Sequence, residues 1–165
     1  MTPPEAQGTP ARWTPTDPEP TWLHDGRRPD GVDDDTVAAV GKLSEAMEWV
    51  ERARGRLYDF HQMMGHADLL AGDAAEMLRR CGQEALADDV EEHLVGRNVL
   101  EGRWTFQIVE EFDATYYGIF RDGLRHLEDQ LMGGWSHVFE SEMKEDRRSH
   151  GGRHHEHRPP EAEAG

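Results

Sequence analysis

The chain has 165 residues, of which 32% are charged and 36% hydrophobic, and its net charge is −16. Those apolar residues suffice for one domain with polar tails. The strong negative charge argues against binding to nucleic acid or to an anionic membrane surface, because both would repel it. No apolar run approaches the roughly 20 residues that span a bilayer, and Cys81 is the single cysteine. We therefore expect a cytoplasmic protein without disulfides.

Residues 1–34 form the first segment, which is rich in proline and glycine and has no periodic apolar pattern. We predict that this acidic arm is extended or disordered. Trp13, Trp22 and Leu23 are unusual in such a segment, because a solvated tail has no need of large apolar side chains. They are our candidates for docking, either onto the helical body of the same chain or onto a partner protein.

A long helix is predicted over residues 36–81, with Asp35 or Thr36 as its cap and Gly82 as its stop. Alternating steps of four and three from Ala39 meet only apolar residues, which is typical of a helix packed against other helices. These twelve positions form two columns. The alanine column is Ala39, Ala46, Ala53, Phe60, Ala67 and Ala74, and the leucine column is Leu43, Val50, Leu57, Met64, Ala71 and Leu78.

Three further columns of this helix matter for the site. The Trp49 flank is apolar over much of its length and consists of Trp49, Met63, Leu70 and Met77. The Arg54 flank consists of Met47, Arg54, His61, Asp68 and Ala75, and the charged column of Glu45, Arg52, Asp59, His66 and Asp73. The charged column should face water, whereas the apolar surface is wider than a two-stranded coiled coil requires and indicates a helical bundle.

A second helix is predicted over residues 88–132, with Asp88 as its cap, and a short third helix over residues 135–148. The first two helices should form a long antiparallel hairpin in which residue i lies opposite a residue numbered about 164–168 minus i. Breaks near Gly65 and between Gly96 and Gly102 remain open at this stage. We expect an all-α fold with a four-helix-bundle core, made either by two hairpins in a homodimer or by one kinked chain.

The segment from 149 to 165 is a histidine-rich, polar tail that we predict to be disordered. Its histidines could bind a transition metal weakly, but we favour a solvated tail, because no second set of ordered ligands accompanies them.

The hairpin register brings polar residues together in the middle of the bundle, namely Arg54, His61, Gln107, Glu110 and Glu111. One interpretation is a structural polar layer that fixes the alignment of the helices. The other is a ligand or metal site in which His61, Glu110 and Glu111 would be the ligands. No Glu-x-x-His pair of the ferritin-like kind occurs in the chain. No serine stands in a recognisable nucleophile motif.

Two hypotheses on function follow. The first is a non-enzymatic cytosolic helical protein without a cofactor, which acts by self-association and by contact with a further protein that the sequence does not identify. The second is a bundle that binds a transition metal or a small ligand, with redox activity as one option, centred on His61 with Glu110 and Glu111. The acidic surface and the arm with Trp13 and Trp22 are the parts that we expect a partner to contact.

Overall fold

The structure, a computed structural model, describes residues 27–156 and consists of helices joined by turns. These residues contain no strand, and their one isolated β-bridge joins Leu100 to Arg103. The all-α prediction is therefore confirmed for this part of the chain. Trp13, Trp22 and Leu23 lie outside the described residues, as does the end of the histidine-rich tail from 157 to 165.

Helix α1 spans Asp34–Arg80, and its 47 residues extend over about 70 Å. It continues through Gly65 without a break. Its cap is Asp33 rather than Asp35 or Thr36, because Asp33 has an extended backbone and its Oδ1 accepts the N–H of Thr36 at 2.7 Å. At the other end, the chain turns at Gly82, whose φ of +76° is accessible to glycine at no steric cost.

The structure divides the predicted second helix into parts. Helix α2 spans Glu84–His93, residues 94–104 are irregular, and helix α3 spans Thr105–Phe112. A π turn at Asp113–Tyr117 joins α3 to helix α4, Gly118–Leu131, without interrupting the rod. The break falls at Gly96 and Gly102, whose φ values of +70° and +69° no α-helix can contain. Asp88 is not a cap: it lies inside α2 and forms an ion pair with Arg79.

Helix α5 spans Val138–Arg147 and follows a turn at Gly133 and Gly134. It closes the molecule over the first turns of α1, where the main apolar cluster lies. Its four buried members are Val37, Val40, Met132 and Val138. Its three half-buried neighbours are Val32, Leu124 and Trp135. Arg28 ties the preceding segment to this end of the molecule, because it donates to Glu142 at 2.7 and 2.6 Å and to Asp34 at 2.6 Å.

From Arg79 onwards the chain returns along α1 in the opposite direction. Arg79 contacts Glu91 near the turn, His61 contacts Thr105 in the middle, and Gly41 lies beside Phe139 near the far end. Each of these residues of α1 therefore has a contact on the returning chain. Among residues 27–156, no helix has the combination of length and apolar character that crossing a bilayer requires.

Candidate functional site

The Arg54 flank of α1 faces the returning chain. Each of the three polar residues of this flank forms a hydrogen bond or an ion pair with the returning chain. Arg54 pairs with Asp113 and His61 with Thr105, while Asp68 Oδ1 accepts the backbone N–H of Gly96 at 2.6 Å. The three residues are seven apart, so they stand in line along one side of α1. The apolar ends of the same flank, Met47 and Ala75, are buried. This line of polar contacts, which we call the polar ladder, aligns the two antiparallel parts of the chain.

Arg54 makes the strongest contact of the polar ladder. Its Nε and Nη2 donate to the two oxygens of Asp113 at 2.7 and 2.8 Å, which is a bidentate pair. The guanidinium also lies 5.0 Å from the ring centre of Tyr58 and 4.9 Å from that of Tyr117. The hydrogen bonds raise the pKa of Arg54 and lower that of Asp113, so both groups remain charged near neutral pH.

A second polar contact lies beside Arg54 on the N-terminal side. The hydroxyl of Tyr117 donates to Glu51 Oε1 at 2.6 Å. This hydrogen bond, together with partial burial, raises the pKa of Tyr117, so the phenol keeps its proton and remains a donor. The middle of the ladder is held by His61, whose Nδ1 shares a hydrogen bond of 2.7 Å with Thr105 Oγ1.

The π turn helps to align the polar residues of the returning chain with their partners on α1. From Thr105 to Tyr117 the returning chain uses twelve residues, whereas their counterparts on α1, His61 and Glu51, are ten residues apart. A regular helix of twelve residues would overshoot and rotate Tyr117 away from α1. The π turn at Asp113–Tyr117 takes up part of the additional length, and Thr105, Asp113 and Tyr117 all contact α1.

The other residues of the predicted polar layer have different roles. Gln107 Oε1 accepts the backbone N–H of Trp104 at 3.0 Å and so supports the start of α3. Glu111 pairs with Arg103 at 2.9 Å, and Glu110 is exposed. The structure therefore brings Arg54 to Asp113 and not to Glu110 or Glu111, and it joins His61 to Thr105 and not to either glutamate. Between residues 27 and 156, no three histidine, cysteine or acidic side chains are grouped closely enough to hold a metal ion.

Sequence reasoning missed Asp113 and Thr105 as members of the ladder. The predicted register gave the right neighbourhood, since Arg54 and Asp113 sum to 167 and His61 and Thr105 to 166. The choice among neighbouring residues depended on the π turn, for which the sequence carries no distinct signal. Glu111 and Asp113 each lie one residue from the midpoint of that register opposite Arg54, so the register alone did not choose between them.

A second feature of α1 is an apolar face that the described residues leave uncovered. The leucine column and the Arg54 flank face the returning chain, while the alanine column and the Trp49 flank lie on the other side; we call these two columns together the outer face. Trp49, Met63, Leu70 and Met77 are 62%, 63%, 53% and 58% exposed. Ala39, Ala53, Ala67 and Ala74 are exposed too, and Ala46 and Phe60 are half-buried. Lys42 and Arg56 occupy the same column as Trp49.

The charged column borders the outer face, next to the Trp49 flank, and Arg80 extends it by one step. All six of its residues are exposed. Four of them also form ion pairs within α1, with Lys42, Glu48, Arg56 and Glu76. Such exposed pairs contribute at most about 1 kcal/mol each, so these charges stay available to a partner.

Comparisons with models of protein families, with curated proteins and with solved structures found no match to this chain. The functional argument therefore rests on the two features of α1: the polar ladder on its inner side and the apolar outer face.

Proposed function

We propose that this chain is a non-enzymatic cytoplasmic helical protein that acts by self-association, with the outer face of α1 as its contact surface. The exposure of that face supports the proposal. Four large apolar side chains of the Trp49 flank are each more than half exposed, on a chain that carries a net charge of −16. A long apolar stripe, interrupted in the Trp49 flank only by Lys42 and Arg56, is typical of a protein contact surface.

A second copy of the chain suits this face better than a globular surface would. The alanine column and the Trp49 flank alternate at steps of three and four, which is the spacing that receives the side chains of another long helix. Each chain supplies two layers, α1 and the returning chain. Two chains joined through their outer faces would therefore complete a four-helix bundle around both leucine columns.

The polar ladder supports a structural role for Arg54 and His61 in this proposal. Both side chains are engaged within the chain, by Asp113 and by Thr105. We propose that they fix the height at which the returning chain lies along α1, and hence the shape of the surface offered to the second copy. The acidic surface outside the bundle is then the part available to other proteins.

Size-exclusion chromatography with light scattering tests self-association. We expect the reduced protein to have twice the 18.8 kDa mass of one chain. Leu70→Asp should give the mass of a single chain, because a carboxylate in the apolar contact would lose its hydration without gaining a partner. Leu69→Asp is the matched control: Leu69 is the neighbouring residue, is 69% exposed and lies off the outer face, so its variant should remain dimeric.

Circular dichroism of both variants shows whether α1 remains folded. A wild-type mass of 18.8 kDa at micromolar concentration would overturn the proposal. Equal dissociation by Leu70→Asp and Leu69→Asp would also overturn it, since the effect would then not belong to the outer face.

A further inference from the structure

We infer that the two copies lie antiparallel, in the register that sets Ala46 against Met77 and Arg52 against Asp73 of the second copy. This inference rests on the proposed self-association and adds the orientation and alignment of the partner. It follows from two properties of the outer face, the order of its large and small side chains and the order of its charges.

The first property is complementarity of size. In an antiparallel pair, residues of the alanine column lie at the same height as residues of the Trp49 flank of the other copy. The register above places Ala46 opposite Met77, Ala53 opposite Leu70, Phe60 opposite Met63 and Ala74 opposite Trp49. Three of the five large apolar side chains thus meet an alanine, which lets the two helices approach closely, and Phe60 and Met63 meet each other. The remaining layer sets Arg56 against Ala67, where the aliphatic part of the arginine can cover the methyl group and its charge can reach water.

The second property is complementarity of charge along the charged column. In an antiparallel pair this column lies beside the same column of the other copy. The proposed register pairs Glu45 with Arg80, Arg52 with Asp73, and Asp59 with His66. The two-fold axis repeats each pair, so six contacts join groups of opposite sign or a carboxylate with an imidazole, which is able to carry a positive charge.

Neighbouring registers lack this agreement. A shift of one heptad in one direction sets Glu45 against Asp73 and Asp59 against Asp59. The same shift in the other direction sets Arg52 against Arg80 and Asp59 against Asp73. A shift of two heptads restores opposite signs at two positions in either direction. In one direction it leaves Met77 uncovered and places Lys42 against Ala67, and in the other it leaves Trp49 uncovered and sets Met77 against Phe60.

A parallel pair in register fits worse than any of these. It would place Trp49 against Trp49, Arg56 against Arg56 and Phe60 against Phe60, while alanine would meet only alanine at positions 39, 46, 53, 67 and 74. It would also lay the charged column of each copy against the leucine column of the other, where carboxylates would contact apolar side chains. Both arguments select the antiparallel arrangement.

Disulfide trapping tests the orientation. One chain carries Cys81→Ser with Ala53→Cys, the other Cys81→Ser with Leu70→Cys, and the two are mixed, allowed to exchange and oxidised. We expect a disulfide between positions 53 and 70 of different chains, identified by mass spectrometry of linked peptides. Each variant alone should stay unlinked, because its two thiols would be about 25 Å apart, well beyond disulfide distance.

Charge reversal tests the register. Arg52→Asp and Asp73→Arg should each weaken dimerisation roughly tenfold at low salt, because each places like charges together twice. The double variant should return to the wild-type dissociation constant. Net charge alone would act differently: on a chain of charge −16, Asp73→Arg would strengthen association and Arg52→Asp would weaken it.

The outcomes separate the two proposals. A monomeric wild-type chain overturns the proposed function and the inference with it. A dimer that links 53 to 53 or 70 to 70, that forms no 53–70 disulfide, or that is not restored by the double charge reversal overturns only the antiparallel register.

Discussion

Phe139 packs directly onto the backbone of α1 at Gly41, and this contact fixes how closely α5 approaches. A Cβ built at Gly41 would lie 2.7 Å from both Cβ and Cγ of Phe139. Gly55, one of the other glycines of α1, has no atom within 4 Å of such a Cβ. The same residue type therefore has a packing role at one position and only a cost in helix propensity at the other.

Alanine substitution separates these two roles. Gly41→Ala should lower the free energy of unfolding by about 1–3 kcal/mol, because the overlap with Phe139 outweighs the gain in helix propensity. Gly55→Ala should raise it by about 0.5–1 kcal/mol. Urea denaturation followed by circular dichroism, at one fixed protein concentration, measures both. If Gly41→Ala stabilises the protein as much as Gly55→Ala does, then α5 does not pack as described.

The Arg54–Asp113 pair is the residue contact of the polar ladder that most directly affects stability. Asp113→Asn should cost about 1–2 kcal/mol, because it removes the charge that faces a half-buried guanidinium. The hydrogen bond from Arg54 lowers the pKa of Asp113, so the contribution of this pair is present above the ordinary carboxyl value of 3.8. It is lost as the pH falls through the lower pKa of the folded state.

Thermal unfolding of Asp113→Asn at pH 7 and in acid measures this contribution. The difference from wild type should be largest at pH 7 and should shrink towards pH 2. Asp89→Asn, at an exposed position of α2, is the control and should change the melting temperature little. A pH-independent difference for Asp113→Asn would show that its effect does not arise from the charge pair.

Glu128 in α4 has the opposite electrostatic behaviour. Burial raises its pKa above the ordinary value of 4.5, so the folded state binds its proton more tightly than the unfolded state does. The stability contributed at this position therefore falls as the pH rises from 4.5 through the raised pKa. Glu128→Gln should increase the melting temperature at pH 7 and leave it nearly unchanged at pH 4.

The exposed Glu101→Gln variant, in the irregular segment between α2 and α3, provides the comparison for Glu128→Gln. It should not change the pH dependence of the melting temperature. If Glu128→Gln lowers the melting temperature at pH 7, then the carboxylate forms a stabilising contact and its burial is not the dominant effect.

At the scale of the elements, α1 was predictable and its orientation was not. Its acidic start, its apolar period and Gly82 are local signals, and they placed its ends within two residues. Three adjoining columns are largely apolar, so periodicity alone could not tell which of them faces the returning chain. Arg54, His61 and Asp68 decided this, because each has a hydrogen-bond partner on that chain and the alanine column has none to offer.

The second half of the chain was less predictable for a different reason. Its apolar spacing is helical throughout, but a π turn and two glycines with positive φ alter the helix path at Asp113–Tyr117 and between α2 and α3. These are local departures that burial and tertiary contacts select. The sequence predicted which part of the returning chain lies opposite Arg54 and His61. It did not identify Asp113 and Thr105 as their partners.

At the scale of the whole molecule, burial is uneven along α1. Six of the seven buried residues of this helix lie between Val37 and Val50, and the seventh is Ala75. Towards the α1–α2 turn, large apolar side chains such as Leu70, Leu86 and Leu94 are more than half exposed. One chain alone therefore has a well-packed end and a sparsely packed end.

This unevenness has a consequence for how two copies behave together. In the antiparallel pair that we propose, residues 43–50 of each copy lie beside residues 73–80 of the other. The well-packed end of each copy therefore supports the sparsely packed end of the other copy. Fraying at the α1–α2 turn would then require the copies to separate first, so that local opening and dissociation would become a single event.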